Sequence, residues 1–241
     1  MKGTGFGIVM LAATALGASA GAGSAGAASL TVKSTDFRNG RAIPAVYAFC
    51  APADQGHISG GQNRNPEISW SKGPKGTKSY ALIVIDPDVP KDLSDINKEG
   101  KIIHASAKRT NFYHWVLVDI PADATEIAEG ADSSGAVPHG KPAGAAADGV
   151  RGINDYTGFF ASDDKMKGNY GGYDGPCPPW NDQRPHHYHF AVVALDVPSL
   201  GLKGNFGGEE AERAMRGHML AKGEIVGTYS LNPLVAAKLT K

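Results

Sequence analysis

The chain has 241 residues, 24 Lys and Arg against 24 Asp and Glu, 32 Gly and 15 Pro. That length suits one substantial core and does not require a second domain. The even charge offers no basic stripe, so no nucleic-acid partner is expected, and the Gly and Pro content argues for turns and ordered loops rather than a helical bundle.

Residues 1–28 read as a leader. Met1 and Lys2 precede an apolar run over 6–16, and Ala, Gly and Ser follow. That is the order of a secretory signal. The run falls short of the about 20 apolar residues that span a bilayer, and no later segment is a transmembrane candidate. Cleavage is expected after Ala20 or after Ala28, leaving residues 29–241 as one exported domain, periplasmic or extracellular. Cys50 and Cys177, the two cysteines, would then meet an oxidising compartment, where pairing is favoured over two separate thiols. The loop closed is long, and chain entropy assigns such a bridge about 5 kcal/mol.

Residues 80–85 form an apolar, β-branched run without polar alternation, expected as a strand buried on both faces and stopped by Asp86-Pro87. Residues 115–118, 190–195 and 225–230 read as further strands. Far apart in sequence, they suit an antiparallel sheet of Greek-key type. A helix is predicted over 209–222, with Ala211, Ala214, Met215, His218 and Met219 on one face and Lys222-Gly223 closing it. Residues 88–112 and 130–158 read as long surface loops.

Three places concentrate unusual residues. Asp86-Pro87-Asp88-Val89-Pro90 holds two carboxylates between stiff prolines; a plain strand-capping turn would look the same. Phe112-Tyr113-His114-Trp115 sets a histidine among aromatics, which also suits a core histidine. Residues 168–180, which contain Tyr173, Gly175, Pro176, Cys177, Pro178 and Pro179, form a shaped loop whose X-Pro bonds are candidate cis sites. The loop leads into residues 186–190, where strand alternation puts His186 and Tyr188 on one face and His187 and His189 on the other.

In this order, the DPDVP, HWVLVDIP, GYDGPCPPW and HHYHF segments resemble the phosphatidylethanolamine-binding protein family, and the C-terminal GTYSLNP resembles its bacterial, Raf-kinase-inhibitor-like branch. The NPEISW segment before them fits the same pattern. The resemblance implies a mainly antiparallel two-sheet β core with a few peripheral helices. It also implies a small anion pocket lined by Asp86, His114, His186 and Tyr188, walled by Gly175, Pro176, Pro178 and Pro179, with Tyr173 at the rim. His187 stands where the family usually has Arg, which removes a permanent charge and an ion pair that Arg could form, and puts in doubt any partner contact made through that Arg but not the pocket. Two imidazoles, a tyrosine hydroxyl and loop N–H groups would donate to an anion.

The expected function is binding of a small anionic ligand such as a phosphoryl or phospholipid head group, with modulation of a protein partner as an added expectation and no cofactor or metal. Two alternatives stay open. One is a phosphoester hydrolase, acid–base or metal-assisted, using Asp86, His114 and His186. The other is an interaction protein with a vestigial pocket.

Overall fold

The computed structural model describes Met1, Gly3 and residues 28–239; the leader expectation falls almost entirely outside them. Along the chain come β1 (Ala28–Ser29), β2 (Val32–Lys33), β3 (Arg41–Ala42), β4 (Cys50–Pro52), β5 (Ile58–Gly60), β6 (Ile68–Trp70), β7 (Ser79–Pro90), β8 (Arg109–Pro121) and β9 (Glu126–Ile127). Then follow β10 (Gly144–Ala146), β11 (Gly149–Arg151), α1 (Tyr156–Phe159), β12 (His186–Leu195), α2 (Gly208–Met215), β13 (Met219–Tyr229) and α3 (Pro233–Leu239). The main sheet runs β1-β13-β12-β7-β8-β11-β10, with short β3 also on β13; β2-β6-β9 and β4-β5 form two smaller sheets. The fold is mainly β, as predicted. Its long strands pair antiparallel; among the named strands, β1 and β3 pair parallel to β13, and one isolated parallel bridge joins Ile103 and Asp182.

Successive side chains of a strand face opposite sides, which explains the unbroken apolar runs. Leu82 and Val84 of β7 enter one core with Trp115, Leu117, Phe190 and Val192. Ala81 and Ile83 enter the other, with Val116, Val193, Phe206, Ala211 and Met215. Helix α2 covers this second face.

Three expectations need correction. Strand β7 does not stop at Asp86-Pro87 but continues to Pro90. The register against β8 shifts between Asp86 and Val89, and such a bulge admits a proline that cannot donate to the ladder. The predicted helix over 209–222 ends at Met215. Gly217 turns at a φ of 85°, and Met219 onward pairs with β12, because a full row of ladder bonds outweighs weak helical periodicity. Consequently Met219 is half exposed, Lys222 and Gly223 lie within β13, and His218 reaches Asp196 at 2.8 Å. Finally, 130–158 is not all loop: the β10–β11 hairpin within it extends the main sheet beside β8.

Candidate functional site

At one end of the main sheet, β7 finishes where β8 and β12 begin. A cavity of about 250 Å³ opens there. Its buried end holds Asp86, His114, His186 and Tyr188, none more than 3% exposed. The remaining lining is mostly apolar, Asn97 being an exception, with Phe112 and the Phe159-Phe160 pair among its rings and Leu93 and Ile96 from the 91–108 segment. Leu93 and Phe159 are exposed, which puts them at the mouth.

His186 Nδ1 lies 2.6 Å from Asp86 Oδ2, and its Nε2 lies 3.2 Å from Asp182 Oδ2. Burial alone would strip the proton from this imidazole, but Asp86 and Asp182 prevail and hold its pKa up to about 9. It is therefore an imidazolium donating both N–H groups to carboxylates. Arg109 grips Asp182 with both terminal nitrogens, at 2.5 and 3.0 Å. Burial would raise the Asp182 pKa, yet His186 and Arg109 bring it below the usual carboxylate range.

Asp86 turns its other oxygen to the Asp88 N–H at 2.8 Å; Pro87 between them has no N–H to offer. Asp88 accepts from His187 Nδ1 at 2.7 Å and from Arg184 Nη1 at 2.9 Å. Burial works against the charged carboxylate, but these two partners bring its pKa down to about 2. The hydrogen bond to Asp88 raises the His187 pKa in turn. The expected loss of an ion pair at position 187 is thus corrected: His187 retains one whenever protonated, and Arg184 supplies a permanent cation.

His114 is held differently. Its Nδ1 lies 2.8 Å from the Asp174 carbonyl oxygen, which only accepts, so Nδ1 carries the proton and Nε2 remains for a ligand. Asp174 N–H returns a bond to the His114 carbonyl at 2.9 Å. The Asp174 carboxylate is fixed by Asn63, Lys141 and Asn154 at 2.7–2.8 Å. Burial lowers the His114 pKa below the ordinary 6.5 despite the pull of Asp86 and Asp174. Tyr188 packs edge-on to this ring, centroids 5.1 Å apart. Its hydroxyl is buried and forms no hydrogen bond with both distance and angle in range, although Asp86 stands close by as an acceptor and, after burial, keeps it firmly a phenol.

The structure brings Asp86, His114, His186, Tyr188, Pro178 and Pro179 together on the cavity. It sets Tyr173, Gly175 and Pro176 behind the wall. Tyr173, expected at the rim, is fully buried and donates its hydroxyl to the Tyr47 carbonyl at 2.6 Å. A Cβ on Gly175 would stand 2.0 Å from that same carbonyl oxygen, so close backbone approach explains the glycine. The Gly175 N–H goes to Asn63 Oδ1 at 2.8 Å and is not free for an anion. The Pro176 carbonyl accepts from Cys50 N–H. No peptide bond among the described residues is cis. Cys50 and Cys177 form the expected disulfide, Cα atoms 4.8 Å apart, and both line the cavity.

Sequence reasoning missed Arg109, Tyr156, Asp182 and the Phe159-Phe160 pair. Asp182 stands four residues before His186, a visible cue; Tyr156 lay within a segment read as surface loop. The metal alternative needs a free nitrogen on His186, and both are committed to carboxylates. Among the described residues no three His, Cys, Asp or Glu side chains are grouped to hold a metal.

A buried polar end under an apolar mouth, at one end of this β fold, makes this cavity the candidate site. The sequence model of the family described as "Phosphatidylethanolamine-binding protein" matches residues 33–230, and the chain belongs to that family. A UPF0098 protein of Aquifex aeolicus is 34% identical over 207 residues, covering 86% of this chain and 91% of its own. YbcL of Escherichia coli is 29% identical over 208 residues, with the same coverage. The crystal structure of YbcL, described as a new member of the mammalian PEBP family, superposes with a TM-score of 0.60 at 26% identity, over 84% of this chain and 99% of its own. The PEBP homologue CT736 of Chlamydia trachomatis gives 0.56 at 28% identity, over 84% and 97%. Among the described residues no helix is long and apolar enough to cross a membrane.

Proposed function

We propose that this chain is an exported binding protein for a small oxyanion, a phosphoryl or carboxylate group seated between Tyr188 and His114. The observation that carries this reading is the Tyr188 hydroxyl, 1% exposed, on the cavity wall and making no hydrogen bond of full geometry even with Asp86 beside it. A buried donor left unsatisfied costs about 1–3 kcal/mol, and a ligand oxygen would remove that penalty. His114 Nε2 stands on the same wall. As the neutral ring it accepts, from the O–H of a singly protonated phosphate for example; toward a fully ionised group it must first take a proton. Asp86 does not repel the ligand with a bare charge, because the His186 imidazolium sits 2.6 Å from it.

Occupation of both His186 nitrogens favours binding over acid–base hydrolysis, since His114 alone is left to move a proton at the cavity. Support for export comes from the leader-like order of residues 1–28 and from the Cys50–Cys177 bond. The test is calorimetric titration with phosphate and phosphoethanolamine, with and without zinc. Saturable binding without zinc, abolished in His114→Ala, supports the proposal. Dependence on zinc, or steady heat from turnover, would replace it with the hydrolase.

A further inference from the structure

We infer that the ligand is amphiphilic: an oxyanion carrying one compact apolar group, held by a collar of Leu93, Ile96, Phe112, Phe159 and Phe160. This rests on the oxyanion reading above and adds the other end of the ligand. Apart from exposed Asn97, the polar side chains of the cavity are concentrated at its buried end, and among the described residues no Lys or Arg lines it. A bare inorganic anion would therefore find few partners and no unpaired cation. Affinity must come largely from apolar surface.

That surface is available. Leu93 and Phe159 are 44% and 42% exposed, and both continue an apolar lining rather than standing alone on the surface. Such exposed area becomes favourable when a ligand covers it. The collar is also preformed. Phe112 meets Phe159 at 74° and Phe159 meets Phe160 at 77°, edge to face, so little side-chain freedom remains to be lost on binding. It joins the polar end directly, since the Phe112 and His114 rings lie 4.9 Å apart. An apolar group bonded to the oxyanion reaches one while the oxyanion contacts the other. A volume of about 250 Å³ is at the low end for small-molecule sites. It suits a phenyl or short branched group rather than a pair of acyl chains.

The experiment is titration of wild type, Leu93→Ala, Phe159→Ala and His114→Ala with inorganic phosphate, phenyl phosphate and benzyl alcohol, each variant checked for unchanged melting. Phenyl phosphate should bind about tenfold or more tighter than phosphate. Phe159→Ala and Leu93→Ala should each weaken phenyl phosphate several-fold, and by a larger factor than they weaken phosphate. Equal affinities for the two anions, insensitive to Phe159→Ala, overturn the collar while the oxyanion reading stands. Benzyl alcohol binding that depends on Phe159, with no phosphate binding, supports the collar and removes the oxyanion reading. Binding of none of the three overturns both.

Discussion

His186 Nδ1 lies 2.6 Å from Asp86 Oδ2, joining side chains one hundred residues apart in sequence. With Asp182 on its other nitrogen, His186 is clamped between two carboxylates. Its charge serves the architecture of the inner wall, which leaves His114 and Tyr188 as the polar groups that the proposed ligand would meet.

That clamp makes stability depend on pH. An unfolded histidine titrates at about 6.5, and folded His186 at about 9. A raised pKa gives stability fully present below about 6.5 and lost as pH rises through about 9. The difference corresponds to an effect on the order of 3 kcal/mol. Chemical denaturation of wild type and His186→Gln should show wild type ahead below pH 6.5 and the gap closing by pH 9.5. A gap that stays constant across this window would mean His186 is not the charged group. On the acid side, Asp88 and Asp182 have lowered pKa values. The stability they contribute is present above about 3.9 and is lost as pH falls through their lowered values, about 2 for Asp88.

Proton uptake should accompany anion binding. The ordinary histidine value would place the rise in affinity at pH 6.5; burial moves the free His114 below that. Sulfate, whose charge is constant from pH 5 to 8, isolates the protein's own proton. Its affinity should climb as pH falls across that range, and titrations at pH 7 in buffers of different ionisation enthalpy should reveal uptake approaching one proton per sulfate. A flat profile with heats independent of buffer would remove His114 from recognition.

The disulfide spans a sequence separation of 127, and closing so long a loop stabilises by about 5 kcal/mol through the unfolded chain. Because both cysteines line the cavity, their loss should also loosen the wall. Cys50→Ser/Cys177→Ser should melt well below wild type and bind phosphate more weakly even at temperatures where it is folded. Identical melting of wild type with and without reductant would show the bond to be energetically idle.

Much of this was legible in the sequence where one residue's chemistry decides its place. The runs over 80–85 and 190–195 are apolar at every position because both sheet faces are covered. His186 and Tyr188 share the buried face by simple alternation, and the family pattern picks out Asp86 and His114. Illegible were the features settled by distant partners. Arg109 meets Asp182 across 73 residues, and Tyr156 fixes the Gly175 carbonyl through its hydroxyl; nothing local announces either pair. Pro87 and Pro90 looked like stops because local chemistry forbids a donor there, whereas the bulge that tolerates them belongs to the pairing with β8. Gly217 was the sign of the true helix end, and the apolar periodicity running past it came from residues that pair as a strand.

Tyr188→Phe separates binding from folding through opposite signs. In the free protein the hydroxyl is buried beside Asp86 but forms no well-aligned hydrogen bond, so its removal relieves a poorly satisfied donor worth up to about 1–3 kcal/mol, while the ring's contact with His114 survives. The variant should be as stable as wild type or more so. In the complex the same hydroxyl would donate to the ligand oxygen, and its loss should weaken phosphate about tenfold, the scale of a hydrogen bond to a charged group. Denaturation and calorimetry on one preparation check both signs. A variant that is destabilised yet binds normally would show that the hydroxyl has an internal partner and that the ligand is held elsewhere.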